Sequence, residues 1–203
     1  MIEKLVTTFV EFQLGIGTIQ DDDVNVYRYG YTLMIEVILN MTLSLIVGAL
    51  LRQIKEVIFF LCMFIPLRSF CGGYHAKKAW QCAIVSNLSV VGALALSELL
   101  VQHSIPLFII FLGETVLGIV IGYFSPVESQ NKKFNAVEQK LYKKYAKNIL
   151  MIEIAVEIVF LISGNQKMFS VLFCAHITQA VSLLIVFCKS KKRSIVKKNA
   201  DNK

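Results

Sequence analysis

Ile105-Pro-Leu-Phe-Ile-Ile-Phe-Leu-Gly-Glu114-Thr-Val-Leu-Gly-Ile-Val-Ile-Gly-Tyr-Phe124 is a twenty-residue run with Glu114 as its sole charge. A bilayer core about 30 Å thick is crossed by roughly 20 apolar residues of helix, so this run reads as a membrane span. Five further segments resemble it: Tyr31–Leu51, Ile54–Phe70, Cys82–Val101, Ile149–Ser163 and Met168–Cys188. None shows the period-two alternation that a membrane β-barrel needs. The 203-residue chain is 56% hydrophobic and 17% charged, too little polar surface for a water-soluble domain. The expected fold is all-α, a polytopic helical bundle of about six transmembrane helices. The segment at Ile149–Ser163 is the shortest and carries Glu153 and Glu157.

Orientation follows from the basic residues. With six spans, one side holds every Lys and Arg of the chain's 21 except Arg52, Lys55 and Lys167. The positive-inside rule makes that side cytoplasmic, with both termini on it. Removing the fifth span would put the Lys132–Lys147 loop and the basic tail on opposite sides, which the rule disfavours. The excess of +7 therefore suits anionic lipid headgroups and topology rather than nucleic acid.

Residues 1–20 read as an interfacial amphipathic helix rather than a cleavable signal. Ile2, Leu5, Val6, Phe9 and Phe12 share one face, and Glu3, Lys4, Thr7, Thr8 and Glu11 the other. A soluble helix packed on loops has the same pattern. Asp21-Asp-Asp23 is placed to cap the next helix, and Tyr27, Tyr29 and Tyr31 suit an interfacial aromatic belt. Pro66 should bend or end the second segment, and Gly72-Gly73 should break any helix. Residues 128–148 read as a Lys-rich connection with Phe134, Val137, Leu141 and Tyr145 on one helical side. Residues 1–203 thus form a single membrane domain, with the bundle at 31–188 and a solvated basic tail at 189–203.

Chemistry gathers where the second and third segments meet, in Arg68-Ser-Phe-Cys71-Gly72-Gly73-Tyr-His75-Ala-Lys77-Lys78-Ala-Trp-Gln-Cys82. A thiol acts as a nucleophile through its thiolate, which an imidazole, a cation or a helix N-terminus favours. His75 and Cys82 are seven residues apart. In one unbroken helix their Cα atoms would stand about 10.5 Å apart along the axis, too far for contact. A dyad therefore requires the helix that carries Cys82 to start at or after His75, with Gly72-Gly73 permitting the bend. Cys71, His75 and Cys82 could also be read as metal ligands, but three ligands at irregular spacing suit zinc poorly. No metal or cofactor is expected. The five cysteines show no paired spacing, and no disulfide framework is expected of a cytoplasmic-facing site.

The run Arg68…Gly72-Gly73-Tyr74-His75-Ala-Lys…Cys82 resembles the signature of the accessory gene regulator protein B (AgrB) family, the membrane cysteine peptidases of Gram-positive quorum sensing. Weaker similarities lie at Tyr27-Arg-Tyr-Gly30 and at Ser125-Pro126…Asn131-Lys132-Lys133. The resemblance implies cleavage of the C-terminal part of a short AgrD-like propeptide, then closure of a lactone or thiolactone ring. It implies Cys82 as nucleophile and His75 as general base and acid. Arg68, Gly72, Gly73, Lys77, Lys132 and Lys133 become supporting or substrate-binding residues. The implied setting is the cell membrane with the site on the cytoplasmic side. The propeptide and the anionic bilayer are the implied partners; a homodimer is left open.

A peptide exporter is the alternative. Glu36, Glu114, Glu153 and Glu157 are carboxylates in or near spans, where ionisable groups are costly and often functional. Six spans without an evident inverted repeat are slight for a transporter. Glu153 and Glu157 lie on one helical face and could pair with basic loop residues, while His176 reads as a hydrogen-bonded packing histidine.

Overall fold

The computed structural model describes residues 2–74, 79–127 and 135–201. Among them there are seven α-helices and no strand: α1 Ile2–Gly15, α2 Val24–Leu50, α3 Ile54–Cys71, α4 Ala79–Gln102, α5 Leu107–Phe124, α6 Ala136–Ser163 and α7 Gln166–Asp201. A 3₁₀ turn at Asp21–Asp23 leads into α2, with Asp23 at the N-cap position but no capping bond from its side chain.

Four segments among the described residues are long and apolar enough to cross a membrane: Asp21–Leu50, Trp80–Gln102, Leu107–Phe124 and Gln166–Lys189. The sequence reading of about six also counts the segments in α3 and α6, which carry more charge. Lys55, Glu56 and Arg68 fall within the 18 residues of α3, and Lys147, Glu153 and Glu157 interrupt the apolar half of α6. Both helices nevertheless pack inside the bundle against α7.

The bundle is built around α7, which touches α3, α4, α5 and α6. One core joins Val57, Phe60 and Leu61 of α3 to Val90, Ala93 and Leu94 of α4 and Val171, Cys174 and Ala175 of α7. The other joins Leu67 and Cys71 to Ile121, Ala146, Leu150, Ala180 and Leu183. In α5 the outward face carries Phe108, Leu112, Val116, Ile119 and Tyr123, all exposed, while Ile110, Glu114 and Ile121 are buried. Apolar side chains outside and a carboxylate inside are what a helix in lipid requires.

Helix boundaries follow local chemistry. Pro66 does not end α3: the helix continues to Cys71 and stops where Gly72 takes a φ of 73°. Asn135 opens α6 with a capping box completed by Glu138, and Gly164 closes it in the left-handed region at φ 69°. From Ala136 onwards, the Lys-rich connection and the fifth apolar segment are therefore one continuous helix. Val137, Leu141 and Tyr145 are exposed along its first half. The basic segment expected as a solvated tail extends α7 as helix to Asp201.

Helix α1 packs on α2 through buried Val6 and Val10, and Tyr31 Oη donates to Gln13 Oε1 at 2.9 Å. Leu5, Phe9 and Phe12 stay exposed, an apolar face free for a bilayer surface.

The α2–α3 hairpin depends on a close approach at Gly48, where an added Cβ would lie 2.7 Å from Val57 Cγ2. Gly48→Leu is expected to destabilise the bundle by about 1–3 kcal/mol through overpacking. Thermal unfolding in detergent should show a lower midpoint than the parent; an unchanged midpoint would remove Gly48 as a packing constraint.

Candidate active site

The backbone leaves the helical conformation at Gly72, Gly73 and Tyr74, between α3 and α4. Non-helical backbone beside a lipid-facing bundle is tolerated only where protein satisfies its polar groups. Here α7 supplies the partners. Gln179 Nε2 donates to the Gly72 carbonyl at 2.9 Å, and Tyr74 N donates to Ser182 Oγ at 2.9 Å. From the segment after α5, Val127 N donates to the Cys71 carbonyl at 3.0 Å. Three otherwise orphaned groups are thereby paired.

Arg68, from the last turn of α3, fills the centre of this strap. Its Nη1 donates to Ser182 Oγ and its Nη2 to the Tyr74 carbonyl. A planar guanidinium can hold both at once, which an ammonium cannot do in the same geometry. The guanidinium also lies 6.0 Å from the Phe64 ring centroid and within electrostatic reach of Cys82 and Cys71. The Lys189 ammonium stands 4.0 Å over the Tyr74 ring.

The two glycines are required by contact as well as by conformation. At Gly73, with φ 149°, a Cβ would lie 1.9 Å from Arg68 Nη1 and 2.6 Å from Ser182 Oγ. At Gly72 it would lie 2.5 Å from the Val127 carbonyl oxygen. Any side chain at either position would displace the guanidinium or the neighbouring loop.

Cys82 is half-buried near the start of α4, towards the positive end of that helix's dipole. Tyr74 is non-helical and α4 is described from Ala79, so the helix carrying Cys82 starts downstream of Tyr74. His75 itself lies outside the described residues, as do Lys77, Lys132 and Lys133. Val127, from the segment after α5, abuts Gly72. Cys71, the other thiol of the motif, is fully buried.

Sequence reading missed Gln179 and Ser182. Their signal was present, since two polar side chains three residues apart interrupt an apolar span. Their partners were not legible, because Gly72 and Tyr74 are more than one hundred residues away.

The family model for Accessory gene regulator B matches residues 2–184, nearly the whole chain and all of the strap and Cys82. The chain belongs to the AgrB family. Two proteins of Clostridium perfringens whose names carry the words AgrB-like protein, from strains SM101 and 13, are each 25% identical to it over 169 residues. Each alignment covers 79% of this chain and 76% of the relative. No solved structure matches significantly. This AgrB protein is thus a multi-pass membrane protein of the accessory gene regulator type of quorum-sensing system, whose family acts with an AgrD propeptide.

Ser182→Ala would orphan Tyr74 N and one arm of Arg68. It is expected to cost about 1–3 kcal/mol, the penalty of an unsatisfied buried group. Differential scanning of the variant in detergent checks this. A midpoint equal to the parent's would mean that water replaces the hydroxyl and that the strap does not depend on α7.

Proposed function

We propose that this AgrB protein is a membrane-embedded cysteine endopeptidase that cleaves the C-terminal part from an AgrD-like propeptide and closes the remainder into a lactone or thiolactone. The observation that carries this reading is the strap. Arg68, Gln179 and Ser182 clamp Gly72–Tyr74 immediately before His75, and Cys82 stands near the start of the following helix.

In this reading His75 removes the Cys82 thiol proton, and the thiolate attacks the scissile carbonyl carbon. The tetrahedral adduct collapses as His75 returns that proton to the departing amine, leaving a thioester on Cys82 and freeing the C-terminal fragment. A Cys or Ser side chain of the propeptide then attacks the thioester carbonyl. It loses its proton to His75 and expels the Cys82 thiolate, which is reprotonated. Ring closure conserves the acyl-transfer potential only where water is held off, which favours a site at the membrane edge. Arg68 orients the strap and offers positive charge towards a substrate carboxylate or the oxyanion. Lys77, Lys132 and Lys133 serve as contacts for an acidic propeptide tail or for anionic headgroups.

The distribution of Lys and Arg supports a cytoplasmic position for both termini and for the site. Residues 1–203 act as one peptidase domain, with α1 at the interface and the bundle behind it.

Intact mass spectrometry of the protein in a membrane mimetic with a candidate propeptide is the direct test. A mass gain equal to the propeptide less its C-terminal fragment is expected, absent from Cys82→Ala, and His75→Ala should not cleave. Normal processing by either variant would remove the dyad. Orientation is checked separately in sealed cells, where thiol reagents that cross membranes should label Cys82 and impermeant ones should not. Labelling from outside would reverse the topology. The exporter reading separates cleanly, since an exporter tolerates Cys82→Ser and a thiol peptidase does not.

A further inference from the structure

Deeper in the bundle, three carboxylates surround one histidine. Glu114 comes from α5, Glu153 and Glu157 from successive turns of α6, and His176 from α7. All four are 3% exposed or less. His176 Nδ1 meets Glu114 Oε1, and Nε2 meets Glu153 Oε2 at 2.8 Å. Glu157 closes the group: one ligand atom each from Glu114, Glu157 and His176 can be chosen so that all lie within 4.8 Å of one another.

Two features mark this as more than a packed histidine. Both oxygens of Glu157, and Glu114 Oε2, have no hydrogen-bond partner among the described residues, although Glu157 is completely buried. An ionisable group left so in a lipid-embedded core is costly unless something satisfies it. Charge is the second. Of the bundle's cations, Arg68 is engaged on the strap and Lys167 on Glu98. One imidazolium cannot balance three carboxylates.

We propose that Glu114, Glu157 and Nδ1 of His176 form a resident site for one divalent first-row transition-metal ion, with Glu153 orienting the imidazole through Nε2–H. Oxygen and imidazole donors together select ions of the zinc, manganese or iron class, and the missing thiolates disfavour Cu(I). A carboxylate accepting the distal N–H of a ligating histidine is the usual outer-sphere arrangement of such sites, and it fixes the ring tautomer. Zinc bonds of about 2.0–2.2 Å require Nδ1 of His176 and the Glu114 oxygen, now in direct contact, to move apart while Glu157 closes inwards. The long glutamate side chains can do this by rotation. A dication would leave one residual negative charge, held on Glu153 by the Nε2–H bond. Its role is to lock α5, α6 and α7 together beneath the strap. Ser182 lies six positions after His176 on α7, about 9 Å along the helix axis.

The test uses full-length, tag-free protein in nanodiscs, loaded with Zn2+, passed over a desalting column and measured by elemental mass spectrometry. About one zinc per chain is expected, as for a single mononuclear site. Cys82→Ser should retain it, whereas Glu114→Gln and Glu157→Gln, close in shape to the parent, should lose it. Glu153→Gln should weaken binding about 10–100-fold in a chelator competition, the usual cost of removing such a partner. Helix content and gel-filtration profile establish that the variants are folded. If the glutamine variants fail to fold, the parent alone decides: chelation should lower its unfolding midpoint and zinc should restore it. A parent that binds no zinc, or whose midpoint ignores chelator, overturns the proposal in favour of protons on the carboxylates. Zinc lost from Cys82→Ser but kept by Glu157→Gln would overturn it in favour of a thiolate site. None of these readouts depends on peptidase activity.

Discussion

One face of α7 imposes the constraint on which the interior depends. His176, Gln179 and Ser182, three residues apart along an otherwise apolar span, each face a group that could not remain unpaired in lipid. His176 meets the carboxylates of α5 and α6, Gln179 meets the Gly72 carbonyl, and Ser182 meets both Tyr74 N and Arg68. Because the bilayer offers no water to satisfy these groups, helix α7 must sit in the middle of the bundle. Its contacts with α3, α4, α5 and α6 follow from that requirement as much as from apolar packing.

The same constraint explains why the strap can be non-helical. A chain that turns from α3 into α4 without a helix exposes backbone donors and acceptors, and each is met by a side chain or by the Val127 segment. Glycine at 72 and 73 then has a steric basis. The guanidinium of Arg68 and the Val127 carbonyl occupy the space where a Cβ would be. Arg68 is accordingly an internal brace as well as a cation, which distinguishes it from an arginine that merely contacts headgroups.

The bundle also divides its polar chemistry by depth. Near one end, the strap, Cys82 and Lys189 gather with Arg68. At the other, Lys167 pairs with Glu98 and Gln53 hydrogen-bonds to Glu98, joining the starts of α3 and α7 to the end of α4. Between these ends lies the Glu114–Glu153–Glu157–His176 group, the most completely buried polar assembly described here. Apolar side chains on the opposite face of α5 point outwards.

Composition and periodicity were enough to read an all-helical membrane bundle, because a long apolar run can satisfy its backbone in lipid only as helix. They also located the Gly72-Gly73 break, since it depends on residues adjacent in the chain. Pro66 shows the limit of local reading: α3 continues past it while packed against α6 and α7, which no property of the proline itself reveals. Glu153 and Glu157 were legible as costly residues on one helical face. Glu153, however, pairs with His176 from another helix rather than with the basic loop, and Glu157 lies beside that pair. Gln179 and Ser182 acquire meaning only against Gly72, Tyr74 and Arg68. Chain-local chemistry determined where helices begin and break. Pairing between residues more than one hundred positions apart was decided by how the helices pack, because only packing specifies which buried donor meets which acceptor.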